Sequence, residues 1–260
     1  MAGLFRTAKP RVPAAIERRD MVRIETSTVL RAMLAGVALC AASAGMSQSA
    51  PPNLEGVWKI ATPTTSLKPV SGAVPFTAEG RKAYEANKKL RAQGKIDEYD
   101  ITLSRCSNPG VPRLALTPMR FKIWQRQKVV TFDYEWNRAL RQINVGVPPQ
   151  PDLMGQGLVP TMTGKSKGQW QGDTLISVME GMSDRTLIDD LIPHGYDLKV
   201  TERYRLIDAD TLENRITIED PEYFSQPWDA VVVYKRQPDA IFPEDVCLDR
   251  IAAKQPAFPK

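Results

Sequence analysis

Histidine is almost missing from this 260-residue chain: His194 stands alone, beside only three cysteines. A multi-histidine or cysteine-rich structural metal site, which takes about four such ligands, is thereby excluded. No H-E-x-x-H, no C-x-x-C and no glycine-rich phosphate loop occurs. Zinc-protease, thioredoxin-type and nucleotide-phosphate solutions therefore lack their ligands. Charge of one sign is also missing from the body of the chain. Formal net charge is +5, but residues 1–50 hold 7 Lys/Arg against 3 Asp/Glu, and the remaining 28 Lys/Arg and 27 Asp/Glu leave only +1. A near-neutral body offers no basic field to nucleic-acid phosphates. What is present is ordinary globular usage, 42% hydrophobic and 25% charged, with five tryptophans that all lie after residue 57. That length and composition suit one large domain or two small ones.

The N-terminus reads as an address. Val29–Ala42 is apolar apart from Arg31, is preceded by Arg18, Arg19 and Arg23, and ends in Ala42-Ser43-Ala44, an A-x-A-type cleavage site. This is the pattern of a Sec signal peptide, too short to span a bilayer, so contact with the membrane is expected to be transient. The expected division is signal peptide 1–44, linker 45–53, domain 54–250 and tail 251–260, with Met21 as a second candidate start. A lipid anchor at Cys40 and a buried N-terminal helix are the rival readings. Export leaves Cys106 and Cys247, and two cysteines in an oxidising compartment are expected to pair. The bridge would tie the C-terminal tail to the loop before the main sheet. Two separate buried thiols are the alternative.

Along the mature chain, Leu54–Ile60 reads as a first strand. Thr77 can cap a helix over 78–90, with Glu79 in its first turn and a thin apolar face of Ala83, Tyr84 and Leu90. From there the pattern has period two. Phe121, Ile123 and Gln125 alternate with Lys122, Trp124 and Arg126; Val130, Phe132, Tyr134 and Trp136 share a face. Further strands follow at 139–145, 165–171, 174–180, 196–207, 211–220 and 228–236, joined mostly by short turns. Sequential strands this close pair as antiparallel hairpins. The expected fold is all-β: an antiparallel meander of about eight strands closed into a barrel, with one N-terminal helix. Such a barrel has room for one small ligand, or for the side chains that fill it.

Alternation then picks out polar groups on the inner face. Glu202 shares a face with Leu198, Val200, Tyr204 and Leu206, and Asn214 sits among Leu212, Ile216 and Ile218. A carboxylate inside a barrel must be paired or hold its proton. An ion pair with an arginine such as Arg141 is one reading of Glu202; acid, base or ligand anchor is the other. His194 lies in a loop at a strand mouth and has the one unperturbed pKa here suited to proton transfer near neutrality. Asp184 or Asp189 is near enough in sequence to orient its ring.

Several segments resemble a family of uncharacterised exported bacterial proteins with a lipocalin-like barrel. They are Gly56-x-Trp58, Cys106–Arg113, Gly168–Leu175, Asp184–Asp189, Pro193-His194, Glu202–Arg205, Asp208–Glu213, Ile216–Pro221, Pro227-Trp228 and Glu244–Cys247. Gly56-x-Trp58 is also similar to the opening of lipocalins, where the tryptophan packs against the barrel end. The resemblance implies that Asp184, Asp189, His194, Glu202 and Arg203 share a site or a structural cluster. It departs from the family pattern at Leu187, where Trp is usual, and at Lys199, where a second His is usual. The loss of that His speaks against a two-histidine or metal mechanism.

These readings converge on a cofactor-independent barrel enzyme, a lyase, isomerase or hydratase for a small apolar, aromatic compound. His194, Glu202, Asp189, Asp184 and Tyr134 would carry acid/base chemistry, and Arg141, Arg203, Trp136 and Trp124 would hold the ligand. A non-catalytic periplasmic carrier is the alternative, and a structural barrel filled with side chains is a third.

Overall fold

The structure is a computed structural model that describes residues 50–146 and 160–257. The expected signal peptide, with the candidate start at Met21 and the rival anchor at Cys40, falls outside the described residues. Nine strands close into one barrel: β1 (Gly56–Ile60), β2 (Arg120–Arg126), β3 (Val129–Tyr134), β4 (Leu140–Val145), β5 (Lys165–Gln171), β6 (Thr174–Glu180), β7 (Lys199–Asp208), β8 (Thr211–Glu219) and β9 (Trp228–Gln237). The expected all-β barrel is therefore what the chain forms, with one strand more than anticipated.

Neighbours are antiparallel at every seam but one. β4 and β5 run parallel, with Ile143 opposite Ser166 and Val145 opposite Gly168. Gly168 fits that seam because a Cβ there would sit 2.5 Å from Ile143. A parallel pair needs a crossover from one end of the barrel to the other. Elsewhere the hairpins are tight: two residues each at 127–128, 172–173 and 209–210. Gly172, at φ +59, takes the left-handed conformation that such a turn favours. All three turns lie at one end. The opposite end carries the long connections 61–119, 135–139, 181–198 and 220–227.

Those connections build a cover. Helix α1 (Ala78–Ala92) begins where expected, with the Thr77 hydroxyl accepting from Gly80 N at 3.0 Å. Gly80 rests on the Tyr223 carbonyl so closely that a Cβ would lie 2.1 Å from it. Tyr84 stacks on Phe76 at 5.0 Å, and Asn87 donates to the Leu191 carbonyl at 3.0 Å. The short helix α2 (Ile101–Arg105), capped by Asp100, and a 3-10 turn at Arg113–Leu116 complete the layer. Arg113, buried, binds Asp100 through two hydrogen bonds and Asp190 through a third, clamping the 96–116 segment to the 181–198 loop. Cys106 and Cys247 are bonded across a separation of 141 residues. The bridge fastens the end of α2 to the start of α3 (Cys247–Ala252), so the expected tie between tail and loop is present.

At the other end Trp58 is fully buried, its indole N–H donating to Leu54 O at 3.0 Å. The Arg236 guanidinium lies 4.2 Å from the ring centroid. Trp58 thus packs at the barrel end, as the Gly56-x-Trp58 opening leads one to expect.

Candidate functional site

Inward-facing positions alternate along each strand, and most are apolar. Phe121 is the hub of an aromatic wall: its ring lies 4.9 Å from Tyr234, 5.4 Å from Tyr134 and 5.8 Å from Phe132, and Phe132 lies 5.1 Å from Tyr204. Against this wall stands one polar cluster. Arg141 on β4 and Glu202 on β7 form an ion pair, each with its side chain at most 1% exposed. Arg141 also donates to Ser166 at 3.0 Å, to Ser177 at 3.4 Å and to the Tyr204 hydroxyl at 3.3 Å. Glu202 accepts in turn from the Tyr204 hydroxyl at 2.7 Å and from Asn214 Nδ2 at 3.2 Å. The ion pair with Arg141 that one reading of Glu202 expected is present.

Electrostatics fix the protonation of the surrounding phenols. Burial pushes the Tyr134 hydroxyl up, and Arg141 beside it opposes this only in part. Burial does the same to Tyr204 and Tyr234, with the Glu202 charge adding to the rise at Tyr204. Burial alone would lower the Arg141 guanidinium, but the Glu202 carboxylate holds it above its ordinary value. The phenols are therefore neutral hydrogen-bonding groups at pH 7. Tyr134 suits donating a hydrogen bond better than giving up a proton.

His194 lies elsewhere, in the cover. It is 2% exposed, and both ring nitrogens are engaged. Nδ1 is 2.8 Å from the Gly195 carbonyl, which can only accept, so Nδ1 carries a proton. Nε2 is 2.9 Å from the Thr186 hydroxyl. That hydroxyl is also 2.9 Å from Ser183 O, and its single hydrogen can serve only one of them. In the neutral ring, Thr186 donates to Nε2. In the protonated ring, Nε2 donates to Thr186, which then turns to Ser183. Burial depresses the His194 pKa below its ordinary value; the Gly195 carbonyl, Asp220 and Asp184 pull it back in part.

The expected site residues thus divide into groups. Arg141, Glu202 and Tyr134 meet inside the barrel. Asp184 acts on His194 only through its charge, since the ring is oriented by Gly195. Asp189 does not orient it: its carboxylate accepts from the backbone N–H groups of Leu67, Leu191 and Ile192 at 2.8–2.9 Å and shapes the cover loop. Burial raises its pKa and those three donors oppose the rise. Among the described residues no hydrogen bond joins His194 to Glu202: the partners of His194 are Gly195 and Thr186, and those of Glu202 are Arg141, Tyr204 and Asn214. Because His194 is packed and bonded on both sides, its replacement is expected to disturb the cover.

Two residues expected to hold ligand lie on the outer wall. Trp124 is 40% exposed and flanked by Lys122 Nζ at 4.5 Å. Arg203 points outward to Thr217 Oγ1 at 2.9 Å. Alternation puts Arg203 and Glu202 on opposite faces, so the shared cluster implied by the family resemblance splits there. Trp136 is buried, but under the C-terminal tail, its indole N–H donating to Ala257 O at 3.0 Å. Glu135, in the right-handed helical conformation, ends the strand before it, and Asn137 and Arg138, at φ 47 and 49, turn the chain after it.

Tyr204, Tyr234, Ser166 and Ser177 belong to the cluster, although no motif in the sequence assigns them a role. Their inward registers on the alternating strands are the available signal. Gly164-Lys165-Ser166-Lys167-Gly168 has the G-x-S-x-G spacing of a hydrolase nucleophile elbow. Ser166, however, sits on a strand and contacts Arg141 rather than a histidine, so the arrangement is not an elbow. No group of three or more His, Cys, Asp or Glu among the described residues is placed to hold a metal ion.

No family model and no curated protein matches the sequence. Among solved structures, a crystal structure of a point mutant of the fluorescent protein UnaG is similar. Identity is 14%, covering 72% of this chain and 97% of that one, with a TM-score of 0.32. The chain is an all-β protein whose closed strand order suits the enclosure of a small ligand.

Proposed function

We propose that this protein binds a small, largely apolar aromatic molecule inside the barrel, outside the cytoplasm, as a carrier. The observation that supports the reading is the Arg141–Glu202 cluster. Withdrawing both charges from water costs several kcal/mol per ion, and apolar side chains of similar volume often fill such a place without loss of stability. A polar cluster hydrogen-bonded across five strands, β4 to β8, and set against an aromatic wall is therefore better explained as a binding device than as filler. The disulfide supports an oxidising location.

The test is calorimetric titration of the full chain with a panel of aromatic compounds, followed by mass spectrometry of the recovered ligand. Saturable one-to-one binding, lost in Arg141→Met/Glu202→Leu and with the ligand recovered unchanged, is expected. Absence of binding across the panel, or binding indifferent to that double substitution, overturns the reading.

The lyase or isomerase reading has one observation in its favour: a buried, neutral imidazole beside a hydroxyl, at Thr186, in the cover. Appearance of a product in the same experiment, abolished in His194→Gln, would establish it instead.

A further inference from the structure

The chain that follows β9 adds no strand to the barrel, because β9 already pairs with β1 and closes it. Residues 238–257 instead run along the outside as a strap. Of these twenty, Phe242, Cys247 and Ala257 are buried and thirteen are exposed. Burial of large apolar side chains is what holds a packed segment in place. Here Ile241 is 96%, Leu248 63% and Ile251 40% exposed, so packing contributes little.

The strap's attachments to the body include two polar clasps and one covalent bond. In one clasp the Phe242 ring lies 5.2 Å from the Arg120 guanidinium and 5.5 Å from that of Arg138, and Asp239, itself exposed, pairs with Lys122. In the other, at the 135–139 connection, Asn137 N donates to the Asp245 carboxylate, Cys247 N donates to Asn137 Oδ1 at 3.1 Å, and Trp136 Nε1 donates to Ala257 O at 3.0 Å. The covalent bond joins Cys247 to Cys106. Ion pairs and cation–π contacts at a wet surface are worth little, and these hydrogen bonds can be exchanged for bonds to water. Against the clasps stands the freedom that twenty residues regain on release. The turn beneath adds to that bias. Asn137 and Arg138 stand consecutively in the left-handed region, at φ 47 and 49, which side-chain-bearing residues rarely adopt, and Asp245 and Cys247 both hold Asn137 there.

We propose that Cys106–Cys247 is the lock of a redox-released strap: a dithiol reduces the bond, residues 238–257 leave the outer wall and uncover Trp136, and the barrel stays closed. The step is a two-stage exchange. A thiolate of the dithiol attacks the Cys106 sulfur, since Cys106 is half-buried and Cys247 wholly buried, forming a mixed disulfide and expelling Cys247 as a thiolate. The second thiol of the dithiol then attacks the dithiol's own sulfur in the mixed disulfide and expels Cys106. Two electrons pass from the dithiol to the bridge, the dithiol ends as a cyclic disulfide, and its two protons pass to the two cysteines. The barrel survives the step because the strand pairings that close it reach no further along the chain than Gln237.

The experiment is hydrogen–deuterium exchange of the full chain, read by mass spectrometry of its peptides. It compares the oxidised protein, the protein reduced with dithiothreitol, and Cys106→Ser/Cys247→Ser. Reduction is expected to speed exchange in peptides from 240–257 by about tenfold or more, as local release requires, while peptides from β6, β7 and β8 keep their protection. The double variant should match the reduced protein with no reductant present. Tryptophan emission should move to longer wavelength on reduction, and the movement should be absent in Trp136→Phe. Strap peptides that stay protected after reduction overturn the proposal. Loss of protection throughout the barrel overturns it too, because the bond would then hold the whole fold rather than the strap. The reduced wild-type chain decides between these outcomes even if a variant fails to fold.

Discussion

Removing one partner of the Arg141–Glu202 pair should destabilise the protein far more than removing both. The guanidinium loses the one carboxylate that pairs with it among the described residues in Glu202→Gln, while the contacts to Ser166, Ser177 and Tyr204 remain. Those hydroxyls cannot neutralise a charge whose side chain is 1% exposed. Breaking a buried pair in this way costs about 3–5 kcal/mol. Arg141→Met should cost a similar amount, because it leaves the Glu202 carboxylate with Tyr204 and Asn214 as its donors among the described residues. The double variant Arg141→Met/Glu202→Leu removes both charges, and its stability should lie within about 1 kcal/mol of wild type. Urea denaturation followed by far-ultraviolet circular dichroism measures these proteins together with Glu202→Leu, the single change that closes the cycle with Arg141→Met and the double variant and yields the coupling energy. Sites in contact are expected to be non-additive by several kcal/mol here, opposite in sign to the single losses. Additive losses, or a Glu202→Gln variant as stable as wild type, would refute the account of the interior as a mutually neutralising pair.

Two further outcomes follow from the cover. Because the His194 pKa is depressed in the folded state, the unfolded chain binds the extra proton first as the pH falls. Stability is therefore fully present above the ordinary histidine value of about 6.5 and lost progressively below it. His194→Gln should be less stable at pH 7.5 and should show a flatter Tm profile between pH 7 and 5; an unchanged slope would contradict the assignment. Reduction of Cys106–Cys247, or Cys106→Ser with Cys247→Ser, should lower stability by about 4–5 kcal/mol on loop-closure grounds. Comparing urea midpoints with and without a reductant checks it.

How much of this was legible depends on the kind of pattern involved. Period-two alternation exposes a polar residue on an apolar strand face, which is why Glu202 and Asn214 stand out in the sequence itself. It also places Trp124 opposite Phe121 and Ile123, a sign of the outer wall that its aromatic character obscures. Alternation is blind to pairing direction, so the parallel β4–β5 seam does not show. It is equally blind to where a strand stops: Trp136 keeps the period of Val130, Phe132 and Tyr134, yet the helical conformation of Glu135 takes the chain out of the strand before it. The Arg113 clamp depends on carboxylates 13 and 77 residues distant, and no local spacing announces it.

The contrast between the two ends of the barrel has a consequence for how such a chain can diversify. Register is held where three two-residue hairpins stitch neighbouring strands together, and a residue gained or lost there would flip whole strand faces from inside to out. Connections at the far side differ in length from 5 to 59 residues and carry none of that burden. New selectivity can therefore arise by remodelling the roof while the foundations keep every inward side chain in place.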